Sequence, residues 1–126
     1  MAAIHYQVYE DRAMTADVKS LMERLGMKTL NGFYNKPVSG VFVSDMVSDV
    51  MNGAAPGNLW VTVQTHKNII AAANLVDVSA IIVTRGKAVP KETLDIADRV
   101  EMTVFSTPLE TFSLCAELTQ VGFESH

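Results

Sequence analysis

The stretch from residue 59 to residue 86 sets the tightest limit on how this chain can fold. Residues 59–65 read Leu-Trp-Val-Thr-Val-Gln-Thr and follow a Pro-Gly pair at 56–57. β-Branched and aromatic residues behind a turn signal are the pattern of a buried strand. Residues 68–76 change period: Ile69, Ala72, Ala73 and Val76 fall at i, i+3, i+4 and i+7, one apolar stripe on a helix. A second apolar run, Ala-Ile-Ile-Val-Thr at 80–84, is closed by Arg85 and Gly86. A strand, a helix and a strand at this spacing return the second strand parallel to the first. The connection is expected to be right-handed.

The rest of the chain repeats this alternation. The sequence has 126 residues, 48% of them hydrophobic, enough for one domain with a real core. Further strands are expected near 41–44 and 102–105, and helices follow them. Val18, Leu21, Met22 and Leu25 form a helical stripe behind Thr15, a candidate N-cap, with Gly26 as its stop. Residues 27–30 suit a short strand, and Asn31-Gly32 a turn. Ser44 or Asp45 is expected to cap the helix carrying Met46, Val47, Val50 and Met51. Pro90 opens another helix, with Leu94 and Ala97 inward. Thr107-Pro108-Leu109-Glu110 fits a capping box for a last helix burying Phe112, Cys115 or Ala116, Leu118 and Val121. The expected fold is α/β: three layers, with a mostly parallel central sheet and helices on both faces. Residues 1–13 form an extension, an edge strand carrying Ile4, Tyr6 and Val8 or a frayed end; 14–122 form the domain; 123–126 form a loose tail.

Charge and cysteine content exclude several functions. A net charge of -4 speaks against a nucleic-acid binder, which carries a basic face. The single cysteine, Cys115, precludes an internal disulfide and a Cys-cluster metal site. No apolar run reaches the roughly 18 residues of a membrane span, and no signal-peptide pattern opens the chain. A cytoplasmic protein with no membrane partner is expected. A Walker A loop is absent, because Ala88 follows Gly86-Lys87 where Ser or Thr is needed. His5, His66 and His126 are too scattered for a zinc site. No metal and no cofactor are expected, and no motif specifies a reaction.

One regularity points to binding. The proposed strands end in small polar residues: Ser44-Asp45, Thr65-His66, Thr84-Arg85 and Ser106-Thr107. In a parallel sheet these ends share one edge, where open α/β sheets bind ligands, and helix N-termini there favour anions. Asn68 and Gly86 complete this candidate rim. Each of these residues has a simpler role as a helix cap or turn residue. Arg85, with Lys67 and Lys87 nearby in sequence, would grip an oxyanion. Asp45 and Asp49 share a helix face, favourable to the helix dipole or to a hydrated Mg²⁺.

Four blocks carry a family resemblance: 38–45 (Val-Ser-Gly-Val-Phe-Val-Ser-Asp), 56–62 (Pro-Gly-Asn-Leu-Trp-Val-Thr), 81–86 (Ile-Ile-Val-Thr-Arg-Gly) and 106–112 (Ser-Thr-Pro-Leu-Glu-Thr-Phe). Together they resemble the DRTGG domain, over about residues 14–122. The resemblance implies the fold of the amino-terminal domain of HPr kinase/phosphatases and a regulatory or assembly role, commonly as a dimer, without catalysis of its own. Two positions depart from the family pattern: Arg85 stands in a Thr-Gly-Gly, and Glu110 replaces Asp in an Asp-Thr-Phe. The leading expectation is a non-enzymatic, homodimeric regulatory module that binds a partner protein or an anionic metabolite at the rim. Two alternatives stand beside it: a small phosphate-handling enzyme using Asp45, His66 and Arg85, and a pure dimerisation or scaffold domain.

Overall fold

The computed structural model describes residues 16–123. The expected extension at 1–13, with Met14 and the Thr15 cap, lies outside them. Within the described residues the elements are α1 (Val18–Leu25), β1 (Lys28–Thr29), β2 (Val41–Val43), α2 (Val47–Gly53), β3 (Leu59–Thr62), α3 (Asn68–Val76), β4 (Ala80–Val83), α4 (Lys91–Arg99), β5 (Thr103–Ser106) and α5 (Thr111–Gln120). The strands form one sheet in the order β1-β5-β4-β3-β2. β2, β3, β4 and β5 are parallel neighbours, with Trp60 opposite Ile81 and Ile81 opposite Val104. β1 runs antiparallel along β5, pairing Lys28 with Ser106.

Strand alternation divides the core into two layers. Val41, Leu59, Val61, Ala80, Ile82 and Phe105 pack against Val18, Leu21, Leu114 and Leu118 of α1 and α5. Trp60, Ile81, Val83 and Val104 pack on the other face, against Val50, Ile69, Ile70, Ala72, Ala73 and Ala97 of α2, α3 and α4. Each parallel strand pairs with the next in sequence, so right-handed crossovers fall on one face. Burial at all four positions of β3 and of β4 fits strands covered on both sides. This is the expected α/β architecture.

Local departures have local causes. Asp17 caps α1: its carboxylate accepts from Ser20 N–H at 2.8 Å while Ser20 Oγ accepts from Asp17 N–H at 3.1 Å. α5 begins at Thr111 rather than inside the proposed capping box, because Thr107 Oγ1 takes Leu109 N–H at 3.3 Å in a turn ahead of the helix. Leu114 and Leu118 are the buried residues of α5, and Phe112 is 86% exposed, which corrects its place in the expected core. Cys115 is only partly buried. Phe123, expected in a loose tail, is buried and donates its N–H to Leu118 O at 3.0 Å. Pro90 stands at the N-cap, one residue before α4. Met46 and Met51 are exposed, unlike Met27 and Met102, which are core.

Candidate functional site

The rim starts where β2 and β3 end. Asp45 Oδ1 accepts from Thr62 Oγ1 at 2.9 Å and from Val63 N–H at 2.9 Å. Thr62 Oγ1 in turn accepts Gln64 N–H at 3.0 Å, so the chain leaves the sheet at Thr62, not at residue 64 or 65 as expected. The indole N–H of fully buried Trp60 donates to Ser44 O at 2.8 Å. Ser44 Oγ donates to Asp49 Oδ2 at 3.1 Å and accepts Met46 N–H at 3.1 Å. The expected N-cap at Ser44 or Asp45 is therefore displaced: α2 has Met46 at its N-cap with no side-chain cap bond, and Ser44 braces the turn from two residues upstream.

A second cluster joins the ends of β4 and β5 to α5. Thr84 is fully buried; its N–H reaches Thr62 O at 3.0 Å and its hydroxyl meets Thr111 Oγ1 at 2.9 Å. Arg85 and Gly86 follow in the left-handed region, at φ +64° and +61°. Their N–H groups donate to Leu109 O at 2.8 Å and to Thr107 O at 2.9 Å, so this turn presents no free backbone donors to an anion. Thr107 N–H continues to Val83 O at 3.0 Å. The Arg85 guanidinium pairs with Glu110 at 3.3 Å, both side chains more than half exposed.

Between these clusters, Thr65 O accepts from Thr93 Oγ1 of α4 at 2.9 Å, and Lys67 Nζ pairs with Glu92 at 3.0 Å. His66 Nδ1 accepts Asn68 N–H at 3.1 Å, which places its ring proton on Nε2. The Thr65 and Ser106 hydroxyls make no hydrogen bond among the described residues. Asp45, His66 and Arg85 are each held by their own local partners, and none bonds to another.

The rim residues thus sit at the carboxyl ends of parallel strands or just beyond. Ligand crevices in open α/β sheets lie where strand order reverses, and β2 to β5 run in unbroken order. Away from the rim, a groove of about 230 Å³ opens between α2 and α3, lined by Val47, Met51, Asn68, Ala71, Ala72 and Leu75. Among the described residues, no group of three or more His, Cys, Asp or Glu could hold a metal ion, and no helix is long and apolar enough to cross a membrane. Thr62 and Thr111, which link the two clusters through Thr84, were missed from the sequence. Thr62 reads there as strand interior, and Thr111 as a helix residue.

A four-stranded parallel core, one antiparallel edge and helices on both faces define the class: a small three-layer α/β domain. The chain belongs to the DRTGG domain family, whose model matches residues 20–121. Among solved structures it is similar to the CBS and DRTGG domains of the regulatory region of Clostridium perfringens pyrophosphatase, complexed with the activator diadenosine tetraphosphate. Identity is 20%, the TM-score is 0.67, and the match covers 90% of this chain and 50% of that one, so the likeness is one of fold. No curated protein matches the chain.

Proposed function

We propose that this chain is a non-enzymatic regulatory module of the DRTGG type, acting as a homodimer in the cytoplasm and taking an anionic small molecule at the β4–β5 side of the rim. One observation carries this reading. The groups an enzyme would need are committed to separate local partners, while the Arg85 guanidinium is held, among the described residues, by an exposed contact to Glu110 that an anion can displace. An exposed pair of this kind stabilises by about 0–1 kcal/mol, less than a guanidinium gains from a two-point grip on an oxyanion. Thr65, His66, Ser44 and Asp45 then shape the edge, and Gly86, Ser106 and Thr107 adjoin the Arg85 contact. The pyrophosphatase regulatory region was captured with a dinucleotide, so adenine nucleotides and pyrophosphate are the first compounds to titrate.

Isothermal titration calorimetry tests the rim. Arg85→Ala should weaken binding by about 1.5–3 kcal/mol. Glu110→Gln should tighten it, because the competing carboxylate is gone. Equal affinities in wild type and both variants would refute Arg85 as the anion contact.

A further inference from the structure

α3 contains no charged residue, although it is an outer-layer helix and Asn68, Ala71, Asn74 and Leu75 are exposed. α4, on the same face of the sheet, carries Lys91, Glu92, Asp95, Asp98 and Arg99. A helix without charge around its circumference fits a covered position. Depletion of charge with enrichment of methionine marks the interior of protein interfaces. The groove beside α3 has the same character: Leu75 is 70% exposed, Met51 is 49% exposed, and both line it.

Charges stand only at the two ends of α3. Lys67 precedes it and Asp77 follows it. Lys67 directs its ammonium at Glu92, with donors to spare, and Asp77 makes no ion pair among the described residues. The two ends lie about 15 Å apart along the helix, with Ala71 and Ala72 midway. An identical helix laid antiparallel across that midpoint sets each Lys67 against the Asp77 of the other copy. The small, exposed Ala71 allows close approach at the crossing. Leu75 of one copy then faces Asn68 of the other, over the groove walled by Val47 and Met51. Every contact occurs twice, as an isologous two-fold interface requires.

We propose that α3, with the α2–α3 groove, is the two-fold interface of the homodimer, the two α3 helices packing antiparallel. The proposal rests on the homodimer reading above and names its surface.

Sedimentation equilibrium from 1 to about 100 μM tests it. Wild type should approach twice 13.7 kDa. Ala71→Arg and Leu75→Glu, at exposed positions, should keep the circular dichroism melt and weaken dimerisation at least about thirtyfold. Asp77→Asn should weaken it several-fold and flatten its dependence on salt. Phe112→Ser, on α5, should leave it unchanged. A wild type that stays monomeric throughout overturns both the homodimer and this interface. A wild-type dimer that survives Ala71→Arg and Leu75→Glu, or that Phe112→Ser dissociates, overturns the interface alone.

Discussion

Arg85 occupies a backbone conformation that costs a side chain roughly 1–2 kcal/mol, at φ +64° in the turn after β4. That turn is the place where the family pattern has Thr-Gly-Gly, and the positive φ supplies a physical reason for glycine there. Arg85→Gly should therefore stabilise the protein by about 0.5–1 kcal/mol in urea unfolding, after allowing for the lost Glu110 pair and the looser unfolded chain. A loss of stability would show that the guanidinium contact outweighs the strain. Asp98 works in the opposite direction, as a carboxylate favoured by its donors. Its Oδ1 accepts Gly32 N–H at 2.9 Å, Tyr34 Oη–H at 3.0 Å and Asn31 Nδ2–H at 2.9 Å. These bonds, the Gly32 N–H foremost, hold its carboxyl below the ordinary value, and donating to that carboxylate raises the Tyr34 phenol. A depressed folded-state pKa gives stability that is present above the unfolded value and lost as pH falls through the folded one. Stability should decline from about pH 4 downward, and Asp98→Ala should flatten that acid limb while costing roughly 1 kcal/mol at neutral pH. A parallel shift of the whole pH profile would contradict this. Neither role was legible in the sequence. Asn31-Gly32 announced a turn, but its anchor lies 66 residues away at Asp98, a separation no local pattern encodes.

At the scale of elements, periodicity was read well and termination less so. Apolar runs at 59–65 and 80–84 became β3 and β4, since burial on both faces leaves a continuous signal. The end of β3 was read too late because Val63 extends the β-branched run. What stops the strand is Asp45, from another segment, taking the Val63 N–H. The order of strands was hidden as well, and with it the unbroken run from β2 to β5 without a reversal, because order depends on which edges meet rather than on composition. One tie at this scale can be measured. The Trp60 indole donates to Ser44 O at 2.8 Å, pinning the end of β2 to β3. Trp60→Phe removes that donor, shrinks a fully buried side chain and leaves Ser44 O without it. The cost should be about 2 kcal/mol or more by denaturant unfolding followed in the far ultraviolet. A cost under half a kcal/mol would mean that the tie contributes nothing.

Across the whole molecule, the earliest described strand pairs with the latest: Lys28 and Thr29 of β1 lie against Ser106 and Phe105 of β5. Val18 and Leu21 of α1 share a core layer with Leu114 and Leu118 of α5. Both ends of the domain therefore meet on one side of the sheet, while β2 to β5 add in order on the other side of that seam. Such long-range closure costs loop entropy before any contact is made. Its consequence falls during synthesis. A chain emerging from the ribosome can assemble β2, β3 and β4 with their crossovers early, but the layer that α1 shares with Phe105, Leu114 and Leu118 stays incomplete until β5 and α5 have cleared the exit tunnel. Until then β4 ends the growing sheet as an open apolar edge, and β5 with α5 decides whether the nascent domain closes on itself or offers that edge to a neighbouring chain.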